Sequence, residues 1–510
     1  MTQRSLPHLL GRAGAVTTEK RIASRPTAGS GDDGERHRLA AVGTPALVAL
    51  VASLAWSWRP SLWRDETASV SAATRPLADL PRLLSNVDAV HGLYYLLLHP
   101  FAAVSVDASW LRLPSALAAG VAAALLAVLG HQLADARTGT VAGLLWALLP
   151  ISSRYGMEAR SVSISVALGL GATVVLVQAL RRGRRWWAAY CLLVGFGAWF
   201  FLFSLLAVTG HAAMVLVARR EDRRATGPFA VSVLIAGLLA TPIALIAGSE
   251  SRQLSWMTRP TLSGSVQLIG KLWFSGAKPL AAFMWVFVAL GVAAGLLAWR
   301  RGGALLVSGC LALAGLPPVL LLSASQIRPL FEDRYVAVGA AYLALLAAFG
   351  LTRLRAGPVP VAAVVGAVVV AVASLPTWVA DRRPDAWGDD FTSMAAVVAA
   401  HRQPGDEVFY SPRFISTVQF GYPEALGGLP DLGMAQSPPE SGTIGGTLAS
   451  AEVVTDRLAD AKRVWVWQGR SVADGDSVEQ QQRSVVAGAG WRVAGTWQSG
   501  WSHLELLVRP

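Results

Sequence analysis

The stretch LWRDETASVS, residues 62–71, sets Arg64, Asp65 and Glu66 directly after the first long apolar run of the chain. That run, residues 39–58, can cross a bilayer, whose hydrocarbon core of roughly 30 Å takes about 20 apolar residues in a helix. Two adjacent carboxylates at a membrane exit are either a solvated loop end or groups held at the interface to act on something there. The rest of the chain decides between these readings.

With 53% hydrophobic and 15% charged residues and a mean hydropathy of +0.46, the composition is that of a polytopic membrane protein. The formal charge of +12 does not point to nucleic acid, because the basic residues sit in short clusters between apolar spans, where they set topology. Only Lys20, Lys271, Lys278 and Lys462 are lysines, and the Arg, Ala, Val and Gly usage is that of a high-GC bacterial genome. Cys191 and Cys310 both lie in apolar runs, which describes neither a disulfide framework nor a metal site. Residues 1–38 are polar and read as a disordered cytoplasmic tail. The run 39–58 is long for a signal-peptide core and has no small-x-small cleavage site after it, so it reads as a retained helix.

The same template places further spans near 111–130, 139–153, 161–180, 186–203, 204–218, 228–248, 279–299, 303–323, 335–352 and 358–379, which makes about eleven. Arg181, Arg182, Arg184 and Arg185, then Arg219, Arg220, Arg223 and Arg224, then Arg300 and Arg301, then Arg353 and Arg355, all fall on one side in this count. Short basic loops stay cytoplasmic. HGLYYLLLHPFAAV, residues 91–104, would reverse the parity if it crossed, so it is expected to lie along the outer surface or to dip in without crossing. Residues 186–218 must then cross twice as two short helices.

Everything after residue 380 is thereby outside. The segment 381–510 carries 11 basic and 16 acidic residues, and the part before it holds the positive excess. Its pattern predicts helices in DDFTSMAAVVAAHR and AEVVTDRLADA and near residues 478–487, with strands at DEVFYS, KRVWVWQG, WRVAGTWQ and HLELLVRP. The expected fold class is therefore an α-helical membrane domain over residues 39–380 with a C-terminal extracytoplasmic α/β domain over 381–510.

Polar groups crowd the outer exits of this map. Asp65 and Glu66 follow the first helix, Tyr155, Glu158 and Arg160 in RYGMEARS open the fourth, and Arg334 and Tyr335 in FEDRY open the tenth. A sugar on a lipid phosphate stays at the interface because its tail is buried, so the base must come to the lipid. A partly desolvated carboxylate such as Asp65 can take the proton of an attacking hydroxyl. Arg160, Arg334, His91 and Lys271 are the candidates to stabilise the leaving phosphate. The blander readings are a local ion pair for Glu158 and Arg160, helix capping by Glu332 and Asp333, interface anchoring by Trp110 and Arg112, and helix packing by His211. The tryptophans Trp465, Trp467, Trp491, Trp497 and Trp501 read as core or sheet-surface residues, with a sugar-stacking platform as the alternative.

WRDE, HGLYYLLLHPF, RLPSALAAG, LLPISSRYGMEARSVS and FEDRY, in this order over residues 39–380, resemble the GT-C superfamily of membrane glycosyltransferases. The likeness is to the branch of protein O-mannosyltransferases, aminoarabinose transferases and actinobacterial mannosyltransferases. The resemblance implies a GT-C fold, Asp65 as catalytic base with Glu66 beside it, and Glu158 and Arg160 in the pocket. It also implies a polyprenyl-phosphate sugar donor, inverting transfer of mannose to a hydroxyl of a glycan, glycolipid or protein at the outer face, and a multi-pass place in the bacterial plasma membrane. No cofactor follows from it, although two adjacent carboxylates could bind a divalent metal. The rival reading is a transporter or flippase for a lipid-linked sugar, which would keep ionisable groups near the bilayer midplane, where these spans carry essentially none.

Overall fold

In the computed structural model, the described residues are 29–220, 223–249, 257–261, 272–274, 278–299, 303–354, 359–469 and 477–510. The chain divides into the units Met1–Leu39 and Ala40–Pro510. Helix α1 runs Gly29–Leu54, so residues 29–38, read as part of a polar tail, are helical. Then follow α2 (Arg64–Ala73), α3 (Leu80–Asn86), α4 (Gly92–Ala102), α5 (Ala108–Leu111), α6 (Leu113–Leu133), α7 (Ala136–Leu148) and α8 (Pro150–Gly156). The series continues with α9 (Val162–Arg182), α10 (Arg184–Phe200), α11 (Ala207–Ala218), α12 (Thr226–Ser249), α13 (Lys278–Leu297), α14 (Gly303–Ile327), α15 (Val338–Thr352) and α16 (Val359–Ala380).

Each expected span holds a helix, and the chain is a multi-pass membrane protein. Among the described residues six helices are long and apolar enough to cross by length and composition, and they fall in α1, α6, α9, α12, α13 and α14. The boundaries follow local chemistry. Asp135 caps α7 by accepting the Thr138 N–H at 2.8 Å. The span expected over 139–153 is split because Leu149 turns extended before Pro150, ending α7 and starting α8. As expected, residues 186–218 form two short helices, α10 and α11, joined by a 3₁₀ segment at Leu202–Leu206. α4 has 11 residues, a rise of about 16 Å, which is half of the hydrocarbon core.

α15 is the axis of the bundle: all its residues from Gly339 to Thr352 are buried. Elsewhere backbones meet through small residues. A methyl on Gly130 of α6 would sit 2.6 Å from the Cα of Gly139 on α7.

The longer helices and the strands of the C-terminal domain are α17 (Phe391–His401), β1 (Asp406–Ser411), β2 (Met434–Gln436), β3 (Thr447–Leu448), α18 (Ala451–Asp460), β4 (Arg463–Gln468), α19 (Ser477–Gly488), β5 (Arg492–Ser499) and β6 (Ser502–Val508). A four-stranded sheet has the order β1-β4-β6-β5, with β1 parallel to β4 and the other neighbours antiparallel. β2 and β3 form a separate small ribbon within a stretch for which the sequence pattern gave no strand. The alternation along β4 sends Trp465 and Trp467 into one core with Val408 and Tyr410, and Val464 and Val466 into the other with Phe409. Both tryptophans are fully buried, so a sugar cannot stack on them.

This domain grips the segment that carries the opening motif. The Tyr422 hydroxyl accepts the Leu62 N–H at 3.0 Å and meets Ser61 Oγ at 3.0 Å. Thr67 and Thr417 share a 2.8 Å hydrogen bond, Ser71 donates to Ile444 O, and Arg75 donates to Thr443 O.

Candidate active site

α2 begins one residue before Asp65, so both carboxylates lie in its first turn, where negative charge is favoured by the free N–H groups and the helix dipole. Successive helix positions point some 100° apart, and here this separates the two acids completely. Asp65 faces the arginines of FEDRY and MEARS: Arg334 Nη1 donates to its Oδ2 at 2.6 Å, and Arg160 Nη2 is 3.8 Å from the same oxygen. Glu66 turns inward to the loop before α6. Arg112 donates Nε to Oε1 at 2.8 Å and Nη2 to Oε2 at 2.6 Å, and the Ala159 N–H reaches Oε1 at 2.7 Å. The Trp63 N–H completes the set at 3.3 Å from Oε2.

Arg160 is held in place from several directions. Ser115 donates to its carbonyl, and its Nη1 donates to Asp65 O and Ser69 Oγ. Its Nη2 donates to His91 Nε2 at 3.0 Å, which puts the ring proton of His91 on Nδ1, a buried atom without a hydrogen-bond partner among the described residues. Burial first, and then the Arg160 charge, push the His91 pKa down to about 3, so the ring stays neutral. Burial raises the Asp65 pKa, but Arg160 and Arg334 outweigh it and bring the group to about 2. Its side chain retains 28% exposure, which leaves it open to a reactant.

Glu158 is buried beside this pair. Trp387 Nε1 donates to its Oε1 at 3.1 Å and Arg154 lies 4.0 Å away, yet burial dominates and raises its pKa to about 7. Arg154 donates to Asp381 Oδ1 at 2.9 Å. Tyr155 packs in the apolar core of the bundle. Tyr335 stacks on Phe203 at 4.6 Å, with the Arg334 guanidinium 6.0 Å from its ring centre. A cavity of about 20 Å³, lined by Phe201, Phe203, Arg334 and Tyr335 among others, opens between them.

Of the residues expected from sequence, Asp65, Arg160, Arg334, His91 and Tyr335 form one contiguous group, with Glu158 next to it. Glu66 is adjacent in sequence, but its oxygens are taken up by four donors. Asp65 and Glu66 do not converge, and among the described residues no three His, Cys, Asp or Glu side chains are grouped to hold a metal. Lys271 lies outside the described residues.

Sequence reading missed the frame around the site. Arg112, read as an interface anchor, is fully buried and also donates to the carbonyls of Ser57, Pro60 and Ser61. One signal was present: an arginine placed flush against the start of a 21-residue apolar helix. Trp387, stacked on Trp63 at 6.4 Å, and the Arg64–Asp389 ion pair at 3.2 Å tie the C-terminal domain to the same loop. Burial raises the Asp389 pKa to about 6, with Arg64 opposing it.

No family model and no curated protein matches the sequence. Among solved structures, ArnT from Cupriavidus metallidurans in its apo state aligns with a TM-score of 0.59 at 12% identity, covering 93% of this chain and 98% of that one. The same protein bound to undecaprenyl phosphate aligns with a TM-score of 0.58 at 12% identity, covering 94% and 98%. At this identity the likeness is one of fold, and nearly the whole length of both chains takes part in it.

Proposed function

We propose that this chain is a membrane glycosyltransferase that takes a sugar, with mannose as the choice, from a polyprenyl phosphate and passes it to a hydroxyl acceptor. The observation that carries the reading is the Asp65 carboxylate, partly open to a reactant and set between the guanidinium groups of Arg334 and Arg160. The same three groups provide a base and a phosphate clamp. Asp65 accepts the proton of the acceptor hydroxyl as its oxygen bonds to the sugar C1. The bond from C1 to the phosphate oxygen breaks, the phosphate leaves with the electron pair, and the arginines neutralise its added charge through paired donors. Attack opposite the leaving group inverts C1. The overlap in fold with a protein crystallised with undecaprenyl phosphate supports a lipid-phosphate donor.

Electrostatics couple the two roles. Without a donor, the arginine charges outweigh burial and make Asp65 a weak base. A phosphate that engages Arg334 and Arg160 withdraws part of that influence, so the base strengthens when the donor arrives. Glu66 in this reading is a positioning residue, because its lone pairs are occupied by Arg112, Ala159 and Trp63.

Purified chain in vesicles with polyprenyl phosphomannose should release polyprenyl phosphate as an acceptor is mannosylated. No release with any polyprenyl-phosphate sugar overturns the assignment. Arg334→Ala should raise the apparent donor KM by about 10- to 100-fold, the worth of one charge-assisted hydrogen bond. Because Arg334 lowers the Asp65 pKa, its removal should also move the acid limb of the free enzyme's pH profile upward. An unchanged donor KM removes Arg334 from the clamp.

The proposed site and residues 381–510 are assigned to the outer face of a bacterial plasma membrane. The arginine loops and the parity expected from the sequence support this reading, and the hydrogen bonds joining the C-terminal domain to α2 put the domain and the proposed site on one side. A phosphatase reporter fused after Pro510 should be active, and an inactive one breaks the parity. A transporter or flippase would keep a working ionisable group in the bilayer. His211, buried in α11, instead has both ring nitrogens engaged, with Tyr190 at 3.0 Å and Thr173 at 2.9 Å.

A further inference from the structure

A groove of about 960 Å³ runs between the end of α1 and the end of α16, apart from the site around Asp65. Its walls are apolar: Leu47, Val51 and Ala55 from α1, Leu375 and Val379 from α16, with Leu148 of α7 also lining it. Val51, Leu375 and Val379 are exposed, so the groove opens toward the surrounding lipid. One end is different in kind, because it is closed by Arg59, Arg382 and Arg383.

The three arginines have distinct roles. Arg382 bends back over the end of α1 and donates to the carbonyls of Ala52 and Ala55, and it also donates to Trp378 O. This satisfies helix-terminal acceptors while leaving the charge at the mouth of the groove. Arg383 has Asp385 at 3.5 Å, an exposed pair worth little. Arg59 is exposed and has no carboxylate partner among the described residues. Asp381, the other acid at this end, is engaged by Arg154 at 2.9 Å. The mouth therefore keeps a positive excess, with Trp56 and Trp378 lining the groove at the level where indole rings settle in a bilayer interface.

A lipid-facing apolar trough ending in guanidinium groups that outnumber the acids beside them matches a molecule with hydrocarbon chains and an anionic phosphate head. We infer that this groove is a binding site for one anionic phospholipid, its acyl chains against α1 and α16 and its phosphate between Arg59 and Arg383. Such a lipid would brace two helices that lead directly into the site, since α1 feeds the Asp65 loop and α16 feeds Asp381 and Trp387. The inference does not depend on the chain being a glycosyltransferase.

The test is native mass spectrometry of delipidated full-length chain offered phosphatidylglycerol, phosphatidylcholine or undecaprenyl phosphate. Phosphatidylglycerol should be retained at one site about tenfold more tightly than phosphatidylcholine, in line with basic side chains meeting an anionic head. The pair Arg59→Gln and Arg383→Gln should remove that preference while melting in phosphatidylcholine discs stays the same. Should this double variant not fold, Val51→Trp, which fills the trough from an exposed position, should cut retention of phosphatidylglycerol. Equal retention of the two phospholipids, or a preference that survives the substitutions, overturns the inference. Retention of undecaprenyl phosphate in place of phosphatidylglycerol, lost in the same variants, also overturns it and assigns the groove to the sugar carrier.

Discussion

Asp65→Asn should abolish sugar transfer, with turnover falling by about 10²- to 10⁴-fold, the usual worth of a positioned general base. Asparagine has the same shape and keeps an oxygen that can accept from Arg334 Nη1, so the geometry of the pair survives while the charge and the proton affinity are lost. Folding should be little affected. The Asp65 side chain is 28% exposed, and the buried Arg160 keeps its hydrogen bonds to Asp65 O, Ser69 Oγ and His91 Nε2, so the cost should stay below that of stranding a fully buried charge. Donor binding should hold or tighten, because the arginines lose a competing carboxylate. The measurement is turnover with polyprenyl phosphomannose in membranes matched for expression, with donor KM read from the residual rate. Undiminished turnover removes Asp65 as the base, and a parallel loss of folded protein reassigns it to structure.

The helices were legible because the bilayer imposes one length and one composition on anything that crosses it. α4 was recognisable as too short, and the arginine clusters ordered the rest. Reading the start of α1 at Leu39 stopped where apolarity stopped, but a helix can continue into water on polar residues such as Asp32, Asp33 and Glu35. Pro150 could have flagged the division between α7 and α8, since the residue before a proline is driven out of the helical region. In the C-terminal domain the period-2 pattern found β1, β4, β5 and β6. β2 and β3 span three and two residues, too short for any alternation to register.

The candidate site was legible in part for a similar reason. Charges that must stay near a membrane boundary are confined to a few exits, and Asp65, Arg160 and Arg334 were already on the same side of the map. What sequence could not supply was the partner of each charge. Arg64 and Asp389 are separated by more than 300 positions and Glu66 and Arg112 by 46, and no local rule connects them. Neighbouring position was also misleading: Asp65 and Glu66 look like a pair in the sequence, yet one helical step sends them to opposite partners.

That separation makes Glu66 the place where a catalytic and an architectural reading diverge most. Arg112→Ala should destabilise the protein by about 3 to 5 kcal/mol, because it strands a fully buried carboxylate, with further loss from the carbonyls of Ser57, Pro60 and Ser61 left without their donor. Arg112→Lys should rescue only partly, since a single ammonium cannot form the paired contact with Glu66 and reach three carbonyls as well. Thermal unfolding followed by tryptophan emission reads this out, with Trp63 and Trp387 close to the pair. An unchanged midpoint in Arg112→Ala would mean that the ion pair does not hold the loop. The companion variant Glu66→Gln should lower stability in the same direction, because its amide NH₂ would face an arginine that can only donate. If Glu66 instead shared the proton transfer with Asp65, Glu66→Gln would lose turnover at full stability. Its four donors leave it no lone pair for that role, so the loss of activity should track the loss of folded protein.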